Sequence, residues 1–110
     1  MPSDTDIVHV VDDDEAMRDS MAFLLRAENF QVQTYADAAD FLTALPQIKV
    51  GCVVTDVRMP GMSGIEVLQA VRETRSASEL PVIMVTAKTQ SEDMVEALGQ
   101  GANDYVTKPI

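Results

Sequence analysis

The sequence predicts an α/β fold in which parallel β-strands alternate with helices. Two observations indicate this class. Short apolar or β-branched runs alternate strictly with segments of helical spacing, and the first, third and fourth runs are almost wholly apolar. Runs that are apolar on both faces are typical of parallel strands covered by helices on either side. The five runs lie at 7–11, 31–36, 52–56, 81–86 and 104–108.

Apolar residues recur at intervals of three and four between these runs, which is the spacing of one buried helix face. We interpret all four stripes as core faces, and Gly101 as the residue that ends the last helix. The stripes are Met17, Met21, Leu24 and Leu25; Phe41, Leu42 and Leu45; Ile65, Leu68 and Val71; and Met94, Val95 and Leu98.

The alternation predicts a doubly wound, five-stranded parallel sheet with right-handed crossovers. The second run, QVQTYA, alternates polar and apolar residues, so we interpret it as an edge strand. A flavodoxin-like strand order of 2-1-3-4-5 fits this pattern and places the ligand crevice at the carboxyl ends of strands 1 and 3. The sequence stops directly after the fifth run. We therefore expect the usual fifth helix to be lacking and one sheet face to be bare.

Length and composition favour a single domain over residues 1–110, with hydrophobic content of 46%. A net charge of -10 argues against direct binding to nucleic acid. We find neither a membrane-spanning run nor an export signal, and we expect a cytoplasmic location without membrane contact. The lone Cys52 is expected to be a buried structural thiol. His9 is expected to be a core or edge histidine with no catalytic role.

Polar residues follow several strand runs, and parallel strands bring their carboxyl ends to one edge of the sheet. Each residue also has a structural alternative. Asp14 is expected to cap the following helix, and capping is an alternative for the whole DDDE segment. Asp56 could be a turn residue, Thr86 an ordinary strand residue and Lys108 a solvated surface lysine. The residues at this edge are Asp12, Asp13, Asp14, Glu15, Asp56, Thr86, Ala87, Thr107 and Lys108.

The convergence of these residues suggests a chemistry. Carboxylates that pack together repel one another, and a cation would hold them ionised. Oxygen ligands with spare positions for water suit Mg²⁺. A carboxylate such as Asp56 is a competent nucleophile for phosphorus and yields an aspartyl phosphate. Mg²⁺ and Lys108 would neutralise the charge that this attack brings together.

Four segments, VVDDDE, VVTDVRMPGMSG, PVIMVTA and GANDYVTKPI, resemble in order and separation the signatures of the receiver domain of bacterial two-component response regulators. The N-terminal part resembles the FixJ type. The resemblance implies that Asp56 is the phospho-acceptor. It also implies that Asp13 binds Mg²⁺ directly, Asp12 mainly through water, and Arg58 through its backbone carbonyl, with Mn²⁺ or Ca²⁺ as substitutes for Mg²⁺.

The same resemblance implies a phosphorylation-controlled signalling switch and not a turnover enzyme. Lys108, followed by Pro109, would contact the phosphoryl oxygens, and Thr86 would donate its hydroxyl to them. Tyr105 would change rotamer and relay the change to the surface of the fourth helix and fifth strand. Arg58 and Lys88 would tune the phosphoryl lifetime.

The implied partners are a sensor histidine kinase, with a small phosphodonor as substitute, and a second copy of the chain. The homodimer would form through the fourth helix and fifth strand, or through the bare sheet face.

Three other functions remain open at this point. A phosphatase of the haloacid dehalogenase type also uses a strand-end Asp with Mg²⁺, but it needs a second Asp two residues later, where Arg58 stands. A flavodoxin-like flavin binder needs a phosphate loop after strand 1, and DDDE would repel a phosphate. A degenerate receiver would act only as a protein-interaction module.

Overall fold

The computed structural model describes residues 7–48, 51–57, 59, 61–87, 99 and 101–108. The strands in these segments are β1 (Ile7–Val11), β2 (Gln31–Tyr35), β3 (Cys52–Asp56), β4 (Val82–Ala87) and β5 (Asp104–Lys108). The helices are α1 (Glu15–Ala27), α2 (Ala38–Ala44) and α3 (Gly64–Thr74), and a 3₁₀ turn follows α2 at Leu45–Gln47.

All strand pairs in the described segments are parallel, and the sheet has the order β2-β1-β3-β4-β5. The predicted α/β class with a parallel sheet is confirmed. The strand with alternating polarity, β2, lies at the edge, and the apolar strands β1, β3 and β4 lie inside the sheet. The predicted fourth helix, with Met94, Val95 and Leu98, falls outside the described residues. Within the described segments, no helix has both the length and the apolarity needed to cross a bilayer.

One face of the sheet is covered by α2 and α3. Phe41, Leu68 and Met84 are fully buried in this layer, and each such side chain contributes about 1.5–3 kcal/mol relative to an exposed one. The stripes predicted for these two helices are confirmed, since Phe41, Leu45, Ile65, Leu68 and Val71 are buried and Leu42 packs against the same cluster.

The opposite face is covered by α1, which packs Met21 and Ala22 on the sheet, with Met17 and Leu25 partly buried beside them. The prediction for Leu24 was wrong, because this side chain is 52% exposed. It borders an open apolar groove of about 220 Å³ beside β4 and β5. None of the elements in the described residues covers this groove. The lining residues of this groove are Met21, Leu24, Leu25, Val54, Ile83, Val85 and Val106.

His9 is a core residue, in agreement with the prediction, and is only 4% exposed. Its Nδ1 lies 3.0 Å from the hydroxyl oxygen of Tyr35, and both rings contact Phe41. Burial lowers the pKa of His9 and raises the pKa of Tyr35. Cys52 is half-buried, less than expected, and burial raises the pKa of its thiol, as suits an inert cysteine.

Candidate functional site

Three carboxylates meet at the carboxyl edge of the sheet. Asp12 and Asp13 follow β1, Asp56 ends the neighbouring strand β3, and one oxygen of each residue lies within 4.8 Å of the others. Asp12 is fully buried, Asp56 is 7% exposed and Asp13 is exposed. The three therefore form a group that is buried on two sides and reached by solvent at Asp13.

Backbone and side-chain hydrogen bonds hold Asp12 in place. Its Oδ1 accepts from the backbone N–H of Asp14 at 2.9 Å, and its carbonyl oxygen accepts from Nη1 of Arg18 at 2.8 Å. Its own N–H donates to the carbonyl of Tyr35 at 3.2 Å. These contacts join the end of β1 to the first turns of α1 and to β2.

Asp14 caps α1, as predicted. Its side chain accepts hydrogen bonds from the N–H groups of Ala16 at 2.9 Å and Met17 at 3.3 Å. This satisfies two of the donors that a helix start leaves open. Capping therefore accounts for Asp14, while Asp12 and Asp13 are directed to the cluster with Asp56.

The position of Asp56 is set by the sheet and by the start of α3. Asp56 pairs with Val85 of β4, and the next N–H, that of Val57, donates to the Val85 carbonyl at 3.0 Å. The N–H of Gly64 donates to the Val57 carbonyl at 2.8 Å, and a Cβ at Gly64 would overlap the backbone oxygen of Asp56. Only glycine lets the helix approach the strand end this closely.

The three carboxylates fit a hard divalent cation. The donor set consists of oxygen atoms alone, two of the groups are buried, and the like charges need compensation at short range. Mg²⁺ takes one or two carboxylates and keeps several waters, which suits a group exposed only at Asp13.

The remaining predicted residues lie on the neighbouring strands or outside the described residues. The backbone of Thr86 belongs to β4, and the backbones of Tyr105 and Lys108 belong to β5. Thr86 pairs with Thr107, and Lys108 pairs with Ala87 at the carboxyl edge. The side chains of Thr86, Tyr105 and Lys108 are not among those described, and Arg58, Lys88 and Pro109 fall outside the described residues.

The sequence patterns did not predict a role for Arg18 or Gly64 at this site. Both act on backbone atoms of the acidic residues, Arg18 on the carbonyl of Asp12 and Gly64 on that of Asp56. The signal for Gly64 was present, because a glycine directly after the capping residue Ser63 opens the helix that follows the site. No spacing rule would have singled out Arg18.

Comparison with known proteins finds the pattern of the response regulator receiver domain over residues 8–110. The transcriptional regulatory protein FixJ of Bradyrhizobium diazoefficiens is 45% identical over 103 residues, which make up 94% of this chain and 49% of FixJ. The C4-dicarboxylate transport transcriptional regulatory protein DctR of Rhodobacter capsulatus is 40% identical over 103 residues, 94% of this chain and 52% of DctR. The chain therefore spans about half the length of these curated relatives.

Solved structures agree with these relatives. The crystal structure of FixJ-N superposes with a TM-score of 0.88 at 37% identity, and the match covers 100% of this chain and 85% of FixJ-N. Full-length FixJ from B. japonicum gives a TM-score of 0.88 at 42% identity, over 98% of this chain and 52% of that protein.

Proposed function

This chain belongs to the response regulator receiver domain family, and we propose that it is a signalling switch whose phosphoryl acceptor is Asp56. One observation carries the assignment: Asp56 ends a central strand within 4.8 Å of Asp12 and Asp13. No other described group of three or more His, Cys, Asp or Glu residues converges in this way. We propose that residues 1–110 act as one receiver domain.

The proposed reaction is a displacement at phosphorus. A carboxylate oxygen of Asp56 attacks the phosphorus of a phosphohistidine on a sensor kinase, and the P–N bond breaks as the P–O bond forms. The electron pair stays on the leaving imidazole, which then takes up a proton, and Asp56 becomes an acyl phosphate. With acetyl phosphate as the donor, acetate leaves in place of imidazole.

A divalent cation would supply charge neutralisation for this displacement. Asp13 would bind Mg²⁺ directly, Asp12 through water, and Arg58 would contribute its backbone carbonyl. The contribution of the described residues to this site is to hold Asp12 in a fixed position. The N–H of Asp14 bonds the Asp12 carboxylate and the guanidinium of Arg18 bonds the Asp12 backbone carbonyl, so this carboxylate is positioned before the cation binds.

The switch would use residues on β4 and β5. Phosphorylation adds about -1.5 to -2 charges and three acceptor oxygens to Asp56. Lys108 would pair with these oxygens and Thr86 would donate its hydroxyl to them. Tyr105 would then move into the space that Thr86 vacates, which changes the surface of the predicted fourth helix and β5. Arg58 and Lys88 are proposed to tune how long the phosphoryl group lasts.

The test is labelling by acetyl phosphate, followed by intact mass. Native protein with Mg²⁺ should gain one phosphoryl mass, and the gain should disappear with chelator or in Asp56→Asn. Asp19→Asn is the matched control, because Asp19 is an exposed aspartate of α1 away from the cluster. Full labelling of Asp56→Asn would overturn the assignment.

Two partners follow from this role, a sensor histidine kinase and a second copy of the chain, and the proposed compartment is the cytoplasm. FixJ and DctR are named as transcriptional regulators, so we propose that this receiver domain controls an output of that kind and does not itself bind DNA. Pairing of two copies would use the surface of the predicted fourth helix and β5, or the apolar groove beside Leu24.

Sedimentation velocity with and without phosphorylation tests the pairing. Loss of a dimer in Leu24→Glu would assign the contact to the groove, whereas an unchanged dimer in that variant would assign it to the other surface. A monomer in both phosphorylation states would overturn the pairing.

A further inference from the structure

The amino ends of β4 and β5 are tied together by one arginine of α3. Arg72 donates from Nε to the carbonyl of Gly101 at 2.9 Å and from Nη1 to the carbonyl of Leu80 at 2.8 Å. Its Nη2 donates to Oδ1 of Asn103 at 2.8 Å. One guanidinium thus contacts the segment before β4 and the segment before β5, at the edge of the sheet opposite the carboxylates.

Asn103 completes this arrangement. Its backbone N–H donates to the carbonyl of Val82 at 2.9 Å, and its Oδ1 accepts from the N–H of Val82 at 2.9 Å. Its Nδ2 donates to the carbonyl of Ala77 at 3.1 Å. Both backbone groups of the first β4 residue are therefore bonded to Asn103, directly before the paired part of the two strands.

These contacts lie directly before the residues at which β4 and β5 begin to pair. The register begins at Ile83 with Asp104 and ends at Ala87 with Lys108. A slip of one residue would move β5 by about 3.3 Å and reverse the faces of its side chains. It would also remove the Asn103 oxygen from the N–H of Val82, whose side chain is fully buried.

We propose that Arg72 and Asn103 are positioning residues that set the register of β5 and thereby place Lys108 at the carboxyl edge. The proposal rests on the role of Lys108 in phosphorylation proposed above. Neither residue touches the reacting groups, since they lie at the opposite end of a five-residue strand, roughly 17 Å away. They act through the strand, whose other end carries Lys108.

The test is a double-mutant cycle on the rate of labelling by acetyl phosphate. Arg72→Met should lower the labelling rate about ten-fold. A displacement of about 1 Å at a reacting site can lower a rate by about a hundred-fold, and we expect the shift of Lys108 to be smaller than that. In the Lys108→Ala background, Arg72→Met should have no further effect. Mg²⁺ affinity should stay within about two-fold of native, because the carboxylates lie at the ends of β1 and β3 and not on β5.

Controls separate positioning from general stability. Arg75→Met removes a second arginine of the same region. Arg75 donates to the carbonyls of Leu45 and Ile48 and not to the segment before β5. This variant should therefore leave the labelling rate of the folded protein unchanged. Asn103→Asp keeps the acceptor oxygen and should label at a near-native rate. If Arg72→Met does not fold, Asn103→Ala replaces it in the same double-mutant cycle with Lys108→Ala.

An equal loss of rate in the native and Lys108→Ala backgrounds, or no loss in either, would overturn the positioning role. Native protein that does not label, or a Lys108→Ala variant that labels at the native rate, would instead overturn the proposed function on which this role rests.

Discussion

At the scale of single residues, Gly64 determines how close α3 can come to the end of β3. Its N–H bonds the carbonyl of Val57, and the space that a Cβ would need is taken by the backbone oxygen of Asp56. The lack of a side chain at Gly64 therefore allows α3 to pack directly against the backbone of Asp56.

Gly64→Ala should lower the free energy of unfolding by about 1–3 kcal/mol, because the added methyl group forces α3 and the end of β3 apart. The labelling rate of Asp56 should fall with it. Urea unfolding measures the first effect and intact mass the second. Gln69→Ala, an exposed position of the same helix, should stay within about 0.5 kcal/mol of native. Native stability and labelling in Gly64→Ala would show that the helix yields without moving the site.

His9 gives the core a dependence on pH. Burial lowers its pKa in the folded chain below the ordinary value of 6.5. As the pH falls through that value, the unfolded chain takes up a proton that the folded chain does not, so the stability that is present above pH 6.5 decreases. The decrease ends once the pH has passed the lowered folded pKa.

We therefore expect native protein to lose more stability than His9→Asn between about pH 7.5 and about pH 5.5, where most carboxylates stay ionised. Asparagine keeps an acceptor near the Tyr35 hydroxyl but does not titrate. Urea unfolding of both proteins at the two pH values measures the difference. An identical decrease in the two proteins would assign the pH dependence to other groups.

At the scale of elements, the sequence predicted strand positions more reliably than side-chain neighbours. The bounds of β1 and β3 agree with the apolar runs. A parallel strand that is buried on both faces is apolar along its length, so its composition is enough to locate it. The prediction that Leu24 is buried was wrong because helical spacing indicates which side chains share a face of the helix and not whether another element packs against that face. The roles of Arg18 and Arg72 were not predicted, since their partners are backbone atoms brought close by the fold.

The start of α1 separates two roles within the DDDE segment. Asp14→Ala should lower the free energy of unfolding by about 1 kcal/mol, because two N–H groups of the first turn lose their acceptor. Asp14→Ser should restore most of this loss. Both variants should bind Mg²⁺ much better than Asp13→Ala, as measured by calorimetric titration. If Asp14→Ala weakened Mg²⁺ binding as much as Asp13→Ala, Asp14 would be a ligand as well as a cap.

At the scale of the whole molecule, an ion held by the acidic cluster would couple its binding to folding. Strands β1 and β3 must be paired for Asp12, Asp13 and Asp56 to converge, so the unfolded chain does not contain the site. A cation that binds only the folded chain stabilises it by mass action, by about 2.7 kcal/mol at a hundred-fold excess over the dissociation constant. The net charge of -10 adds a second, nonspecific effect, because any salt screens repulsion among the acidic residues.

The two effects can be separated by comparing Mg²⁺ with NaCl at equal ionic strength. Native protein should unfold at higher urea concentration in Mg²⁺ than in the matched NaCl solution, and the gain should grow with the logarithm of Mg²⁺ concentration. Asp13→Asn should lose most of this gain and keep the response to NaCl, whereas Asp19→Asn, which removes the same charge from an exposed position of α1, should behave like native protein. An equal gain in Mg²⁺ and in NaCl would mean that screening alone stabilises the fold. A full Mg²⁺ gain in Asp13→Asn would mean that the ion is held without the exposed carboxylate, and that Asp12 and Asp56 suffice for binding.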